Sequence, residues 1–331
     1  MNPALLLART LRDPASAEGL SAGQWTALFA VARAEQLIGT LATRIQGLLM
    51  PEDAKRIVRD AIASAEQGRT AALWEAEMAQ RALGDIPCVL LKGTAFAAAG
   101  LEAGKGRSIG DLDILVPRDL IEVAEARLLA AGWEWVKPDP YDDEYYRRWM
   151  HELPPLIHRD RDRMIDVHHT ILPLTARITP DPQAMLDAAR PLANGCKHPA
   201  PNDMLCHAAA HLFADGDLAG GMRNLWDVWC LVEEFGVEGL EARADLHGLA
   251  GEVTRAIRLS QALYGPEPMA GTTGGWGDSL YLRRLTARNG WGRPTRPFTR
   301  LAFYIRSHWL RMPPAMLARH LWTKWRKGHA P

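Results

Sequence analysis

Asp111 and Asp113 stand two residues apart in the run Asp-Leu-Asp-Ile-Leu-Val, which alternates in polarity and closes at Pro117. That is the pattern of a β-strand. On a strand both carboxylates leave the same face, about 6.5–7 Å apart, with Leu112 and Ile114 turned to the core. Two like charges so placed call for a cation. A third carboxylate, Asp166, lies in Met164-Ile165-Asp166-Val167-His168-His169, which reads as the hairpin partner of Glu152 to His158 across a turn at Arg159 to Arg163. With that strand alongside, at about 4.8 Å, the three acids converge on one spot. Such a cradle suits two Mg²⁺ ions about 3.5–4 Å apart, with Mn²⁺ as a substitute. Taken alone, an Asp-x-Asp pair is also what a solvated strand end looks like.

About twenty residues upstream, Cys88-Val89-Leu90-Leu91 is too short for a helix and ends at Lys92-Gly93-Thr94, before the small, helix-compatible residues to Gly100. A strand, a glycine turn and a helix follow one another. A glycine there lets backbone approach a phosphate, and a helix start offers free N–H groups to it; the same text also fits a plain turn. Lys92 and Arg107 are candidates for triphosphate contacts, and each can equally serve as a structural ion pair. His207 and His211 lie four apart on an expected helix, and His168-His169 adjoin Asp166. A zinc hydrolase uses such spacing, but Ala208, Ala209 and Ala210 stand where a zincin needs its Glu. Core or supporting histidines fit equally. His168 shares the strand face of Asp166, and His169 points the other way.

In order along the chain, Leu91-Lys92-Gly93, Arg107-Ser108 followed by Asp111-Leu112-Asp113-Ile114-Leu115-Val116, and Ile165-Asp166-Val167-His168 resemble the nucleotidyltransferases of the DNA polymerase β type. The likeness is greatest to the bacterial family of uncharacterised nucleotidyltransferases, and more distant to antitoxin-type nucleotidyltransferases with an LKGG turn. It extends to the segment His151-Glu152-Leu153-Pro154-Pro155-Leu156, to His211 and to Leu225-Trp226-Asp227. The resemblance implies transfer of a nucleoside monophosphate from an NTP, ATP by default, to a hydroxyl-bearing acceptor. It implies Asp111, Asp113 and Asp166 as metal-holding catalytic residues, and Lys92, Gly93, Thr94, Arg107 and Ser108 as nucleotide contacts. His151, His168, His211 and Asp227 are implied near substrate or behind the ligands. The turn reads Gly-Thr where the family usually has Gly-Ser or Gly-Gly, and the Gly93-to-Asp111 connection is longer than usual, so the Gly104–Gly106 loop must bulge away from the site or cover it. The acceptor is open: a small molecule, a peptide, a protein or an RNA end.

The elements around these motifs give an α+β fold, a small mixed-sheet nucleotidyltransferase core with helical regions on either side. Residues 1–83 read as three or four helices, 84–175 as the core, 176–278 as a helical domain and 279–331 as a basic, Trp-containing helical region. A helix is expected over Arg118 to Ala131, a strand near Trp133 to Val136 and a polar connection over Asp139 to Arg148; strong helical segments cover Asp203–Phe213, Met222–Phe235 and Leu246–Tyr264. The 331 residues, 47% apolar and 24% charged, suffice for a sizeable core and exclude bulk disorder.

Lys plus Arg (39) equal Asp plus Glu (39), so no global field marks a nucleic-acid binder. The balance hides an asymmetry: Ser279 to Pro331 holds 12 basic residues and no acid, leaving 27 basic against 39 acidic residues, a net of −12, before it. Trp291, Trp309, Trp322 and Trp325 are interleaved there. This tail has three readings: a solvated face packing its indoles on earlier helices, a surface for an anionic or nucleic-acid partner, or a helix on a membrane surface, interrupted at Pro313 and Pro314. The four cysteines lack CxxC spacing and read as reduced core thiols. Without a signal-peptide pattern or an apolar run of about 20 residues, the chain is expected to be cytoplasmic, without a transmembrane segment. Two competing functions remain: a non-catalytic nucleotide- or partner-binding module of the same fold, and a His/Asp metal-dependent phosphohydrolase built on His207, His211, Asp227 and His168.

Overall fold

A computed structural model describes residues 2–266, 275–311 and 322. Helix α1 (Pro3–Arg12) starts where the Asn2 side chain accepts from the Ala4 N–H at 2.9 Å, with Pro3 in the first turn. Helix α2 (Ala22–Ala34) begins with a reciprocal capping box between Ser21 and Gln24. Helices α3 (Ile38–Ile45) and the 32-residue α4 (Glu52–Leu83) complete the N-terminal part. Glu52 and Asp53 sit in the first turn of α4, and Gly84 with φ +65° ends it.

The mixed unit that follows comprises β1 (Val89–Leu90), α5 (Lys92–Ala98), β2 (Leu112–Leu115), α6 (Ile121–Ala130), β3 (Trp133–Trp135), α7 (Pro140–Trp149), β4 (Leu156–His158) and β5 (Met164–His168). After α8 (Pro182–Asp187) come two short strands, β6 (Arg190–Pro191) and β7 (Lys197–His198). The chain continues through α9 (Pro201–Ala210), α10 (Gly221–Phe235), α11 (Leu240–Leu246), α12 (Ala250–Tyr264), α13 (Gly275–Leu285) and α14 (Pro297–Arg311). The strands form one mixed sheet in the order β3-β4-β5-β2-β1-β7-β6. Central β2 is buried at every position, runs parallel to β5 and antiparallel to β1, and β4 and β5 form the expected antiparallel hairpin. The architecture is α+β. Helix α4 packs against α5 and α6, while α10 packs against α9 and α12.

Several elements differ from the expectations. The polar stretch at 139–148 is not a connection but helix α7, because Asp139 accepts from the N–H groups of Tyr141 (2.9 Å) and Asp142 (3.0 Å) and Pro140 presets the first turn. The segment Leu246–Tyr264 breaks in two at Gly248, whose φ of +66° no helix continues through. Strands β6 and β7, of two residues each, carry no periodic signal. Cys88 and Cys196 are buried neighbours across the β1–β7 ladder, where the Lys197 N–H donates to the Cys88 carbonyl at 2.8 Å; all four cysteines are free. In the C-terminal region Trp291, Trp309 and Trp322 are exposed instead of packed inward, with the Arg177 guanidinium 5.2 Å over the Trp309 ring. Trp325, Pro313 and Pro314 lie outside the described residues. No helix among the described residues is long and apolar enough to cross a membrane.

Candidate active site

The register between β2 and β5 sets Asp113 directly opposite Asp166. Asp111 precedes the first residue of β2 and is exposed, so it sits at the strand's mouth and not within it. Oxygen atoms of Asp111, Asp113 and Asp166 nevertheless all lie within 4.8 Å of one another. The alternation that buries Leu112 and Ile114 forces both flanking acids to one face, and parallel pairing brings the third to them.

Asp113 is 4% exposed, and two donors share its Oδ1: Lys92 Nζ at 2.5 Å and His168 Nε2 at 3.0 Å. Burial alone pushes this carboxyl up, but the Lys92 ammonium and His168 outweigh it and hold it well below the usual carboxylate range. Among the described residues Asp166 has no such ion pair. Burial first, then the charges of Glu152 and Asp113, push it up to about 7. Its Oδ1 is buried with no hydrogen-bond partner among the described residues. An orphaned carboxylate oxygen beside two further carboxylates is a donor set of hard oxygens, the chemistry that Mg²⁺ or Mn²⁺ accepts.

Lys92 opens α5 with φ +48°, a left-handed conformation that costs a non-glycine residue about 1–2 kcal/mol. The turn expected to need a glycine thus bends at the lysine. Gly93 is required for a different reason: a Cβ there would overlap the Nε of Arg107. Arg107 lies against that glycine and pairs with Asp227, a buried carboxylate that also faces Arg223 Nη1 at 3.4 Å. Arg223 in turn donates to the Gln36 carbonyl at 2.9 Å and Thr40 Oγ1 at 2.5 Å. Both Lys92 and Arg107 are therefore ion-paired. The Gly104–Gly106 loop lies against α3, with Thr40 Oγ1 donating to the Lys105 carbonyl at 3.2 Å.

An open cleft of about 750 Å³ adjoins the acids. Its walls are Arg33, Gln36 and Ile38 from the α2–α3 corner, Lys92, Gly93, Arg107 and Ser108 from the core, and His211, Arg223 and, from the α13–α14 connection, Arg288, with Asp111 and Asp113 also on its lining. Thr94 is buried and lines no part of it. The volume is that of ordinary small-molecule sites. Beneath Arg107 a second cavity of about 50 Å³, lined in part by His207, His211 and Asp227, holds little beyond water.

The four residues of the phosphohydrolase reading form no metal-capable cluster, although His207, His211 and Asp227 line one small cavity. No cluster of three metal-capable side chains among the described residues includes His207, His211 or Asp227, and Asp227 is engaged by two arginines. His207 is held well below its usual range by burial and then by the charges of Lys92 and His211. His169 faces away from the trio, as expected, and meets Arg118; burial, then that guanidinium, push it down to about 4. His151 and His168 do come together, joined by Glu152, and the Tyr146 phenol, pushed up to about 12 by burial and then by Glu152 and Asp166, marks the same neighbourhood. Glu152 stands in the His151–Leu156 segment of the resemblance but has no role assigned from the sequence. It is placed by an isolated antiparallel bridge to His168 that no periodicity announces.

No curated protein matches the chain. The profile of a family described as uncharacterised nucleotidyltransferase matches residues 21–265, which take in α2 through α12 and with them the carboxylate trio, Lys92, Arg107 and Asp227. On that match, covering well over half its length, the chain belongs to the uncharacterised nucleotidyltransferase family.

Proposed function

We propose that this protein is a Mg²⁺-dependent enzyme that transfers a nucleoside monophosphate from an NTP, ATP by default, to a hydroxyl group of an acceptor. The observation that carries the reading is the in-register pair Asp113 and Asp166 with Asp111 alongside, of which Asp111 and Asp113 line a cleft that also presents Lys92, Arg107 and Ser108. Asp111, Asp113 and Asp166 would hold two Mg²⁺ ions, or Mn²⁺, and Asp166 Oδ1 gains the partner it lacks. Bound there, divalent ions supply neutralisation of the triphosphate charge and polarisation at phosphorus.

The chain's own groups do the rest. Lys92, Arg107, Gly93 and Ser108 bind and orient the triphosphate, with Thr94 behind the turn. Transfer needs positioning and charge stabilisation, and no protein nucleophile. The acceptor oxygen forms a bond to the α-phosphorus, the bond from that phosphorus to the bridging oxygen of pyrophosphate breaks, and the electron pair leaves with pyrophosphate. The hydroxyl proton passes to the Asp166 carboxylate, at the oxygen not engaged by the ions, which would keep that carboxylate ionised and ready to accept it. His168 steadies Asp113, His151 stands behind it, and Asp227 fixes Arg107. His211, on the cleft wall, is placed to touch substrate. The basic C-terminal region, with the exposed Arg293 and Arg300 together with the exposed Trp291 and Trp309, offers the surface for an anionic partner. The reaction is placed in the cytoplasm, in keeping with free cysteines throughout.

The test is incubation of the protein with labelled NTPs, Mg²⁺ and a cell lysate. A product carrying the α-phosphate label, absent with Asp111→Asn, is expected. Label arriving from the γ position would overturn the reaction class, and nucleotide binding without turnover would leave a binding module.

A further inference from the structure

Behind the carboxylate trio, His151, Glu152 and His168 each bring one ligand atom to within 4.8 Å of the others. The backbone holds them there. The His169 N–H donates to the His151 carbonyl at 2.9 Å, the Leu153 N–H donates to the Val167 carbonyl at 2.9 Å, and Glu152 bridges His168 between those two bonds. Both imidazoles turn Nε2 to the same carboxylate oxygen, Glu152 Oε2, at 3.7 Å from His151 and 3.5 Å from His168.

Those separations are long for hydrogen bonds. They come close to another geometry: three ligands at about 2.0–2.2 Å from one tetrahedral ion stand roughly 3.3–3.6 Å apart, a range that the 3.5 Å separation meets and the 3.7 Å one slightly exceeds. Nδ1 of both rings is buried without a hydrogen-bond partner among the described residues, and the polar contacts of both rings are made at Nε2. Burial also holds His151 well below its usual range, in the neutral form that a metal requires. Charges facing the cluster are the carboxylates of Asp113 and Asp166 and the ammonium of Lys92, together favourable to a cation.

We propose that His151, Glu152 and His168 form a second metal site, for a transition metal of the zinc class, separate from the all-oxygen trio. Two imidazoles and one carboxylate are the donors that Zn²⁺ and Co²⁺ prefer and Mg²⁺ does not, and three protein ligands leave a fourth position open. His168 Nε2 cannot both ligate an ion and donate to Asp113, so filling this site takes one donor away from Asp113.

The test uses the full chain stripped with chelator and titrated with Co²⁺ alone. Intense visible bands of a low-coordinate ion, saturating at one equivalent and surviving both excess Mg²⁺ and Asp111→Asn, are expected. His151→Ala and Glu152→Gln, each verified as folded by circular dichroism, should weaken binding by at least about 10-fold, a loss typical even of supporting partners at metal sites. Weak octahedral bands displaced by Mg²⁺ and lost with Asp111→Asn, or bands indifferent to His151→Ala, would overturn the site. Should the variants misfold, the wild-type imidazole ¹⁵N resonances decide: Zn²⁺ must shift Nε2 of His151 and His168, and unmoved signals refute the proposal. The readout involves no nucleotide, so it stands or falls apart from nucleotidyl transfer.

Discussion

Asp113 and Asp166 face each other in register across two parallel strands, yet their carboxyl groups are driven in opposite directions, one held far down by Lys92 and His168, the other raised to about 7 by burial and its acidic neighbours. The asymmetry separates a carboxylate that is always charged from one that waits for a cation or a proton, and it makes the three acids inequivalent in experiment.

Asp111→Ala and Asp113→Ala should both abolish nucleotidyl transfer, a loss of several kcal/mol in transition-state stabilisation. Only the second should unfold easily. Asp111 is exposed, whereas removing Asp113 leaves Lys92 and His168 around an empty buried position, at a cost of about 3–5 kcal/mol. Thermal melts of the two variants would separate the effects; equal melting temperatures would contradict this account.

Removal of metal should lower the melting temperature, and adding back Mg²⁺ or Mn²⁺ should raise it by mass action, roughly 2.7 kcal/mol at 100 times Kd. Asp166→Asn should lose this response while the metal-free variant melts above metal-free wild type, because one of three crowded like charges is gone. Differential scanning calorimetry in chelator and in excess Mg²⁺ checks both halves.

Gly93→Ala should displace Arg107, which occupies the space of the new methyl group, and so loosen its pair with Asp227. The expected result is a raised KM for NTP with about 1–3 kcal/mol of lost stability from overpacking. A KM unchanged from wild type would remove Arg107 from the nucleotide contacts.

Away from the cleft, Asp203 is fully buried between Arg243 (2.6 Å) and His247 Nε2 (2.9 Å). Burial raises its pKa, but the hydrogen bonds from His247 and Arg243 prevail and set it below its ordinary 3.8. A carboxyl depressed on folding contributes stability that is full above the unfolded value and lost as pH falls through the folded one. Stability against urea should therefore fall below about pH 4 in the wild type, and Asp203→Asn, already weaker at neutral pH, should show a flatter decline there.

The α+β class and the family were legible because their signals are local. Asp111, Asp113 and Asp166 sit in runs whose alternation betrays strands, and the N-terminal helices announce themselves by the apolar spacing of residues such as Trp25, Leu28, Phe29 and Ala32. What stayed hidden is built across distance. Arg107 meets Asp227 across 120 residues and Arg223 meets Gln36 across 187, contacts that no window of sequence contains. Helix α7 was missed because its first turn is encoded by Asp139 and Pro140 and not by an apolar stripe; all ten of its residues lie at least partly exposed. Glu152 was missed because a single bridge to His168 places it.

The chain of contacts from Arg107 through Asp227 and Arg223 to Gln36 and Thr40 rivets three stretches of the polypeptide into one block around the cleft. Parting the walls would strand buried guanidinium groups, so the chamber behaves as a rigid mould instead of a closing jaw. Donor and acceptor must come and go through its standing mouth, and selectivity then rests on what fits that aperture.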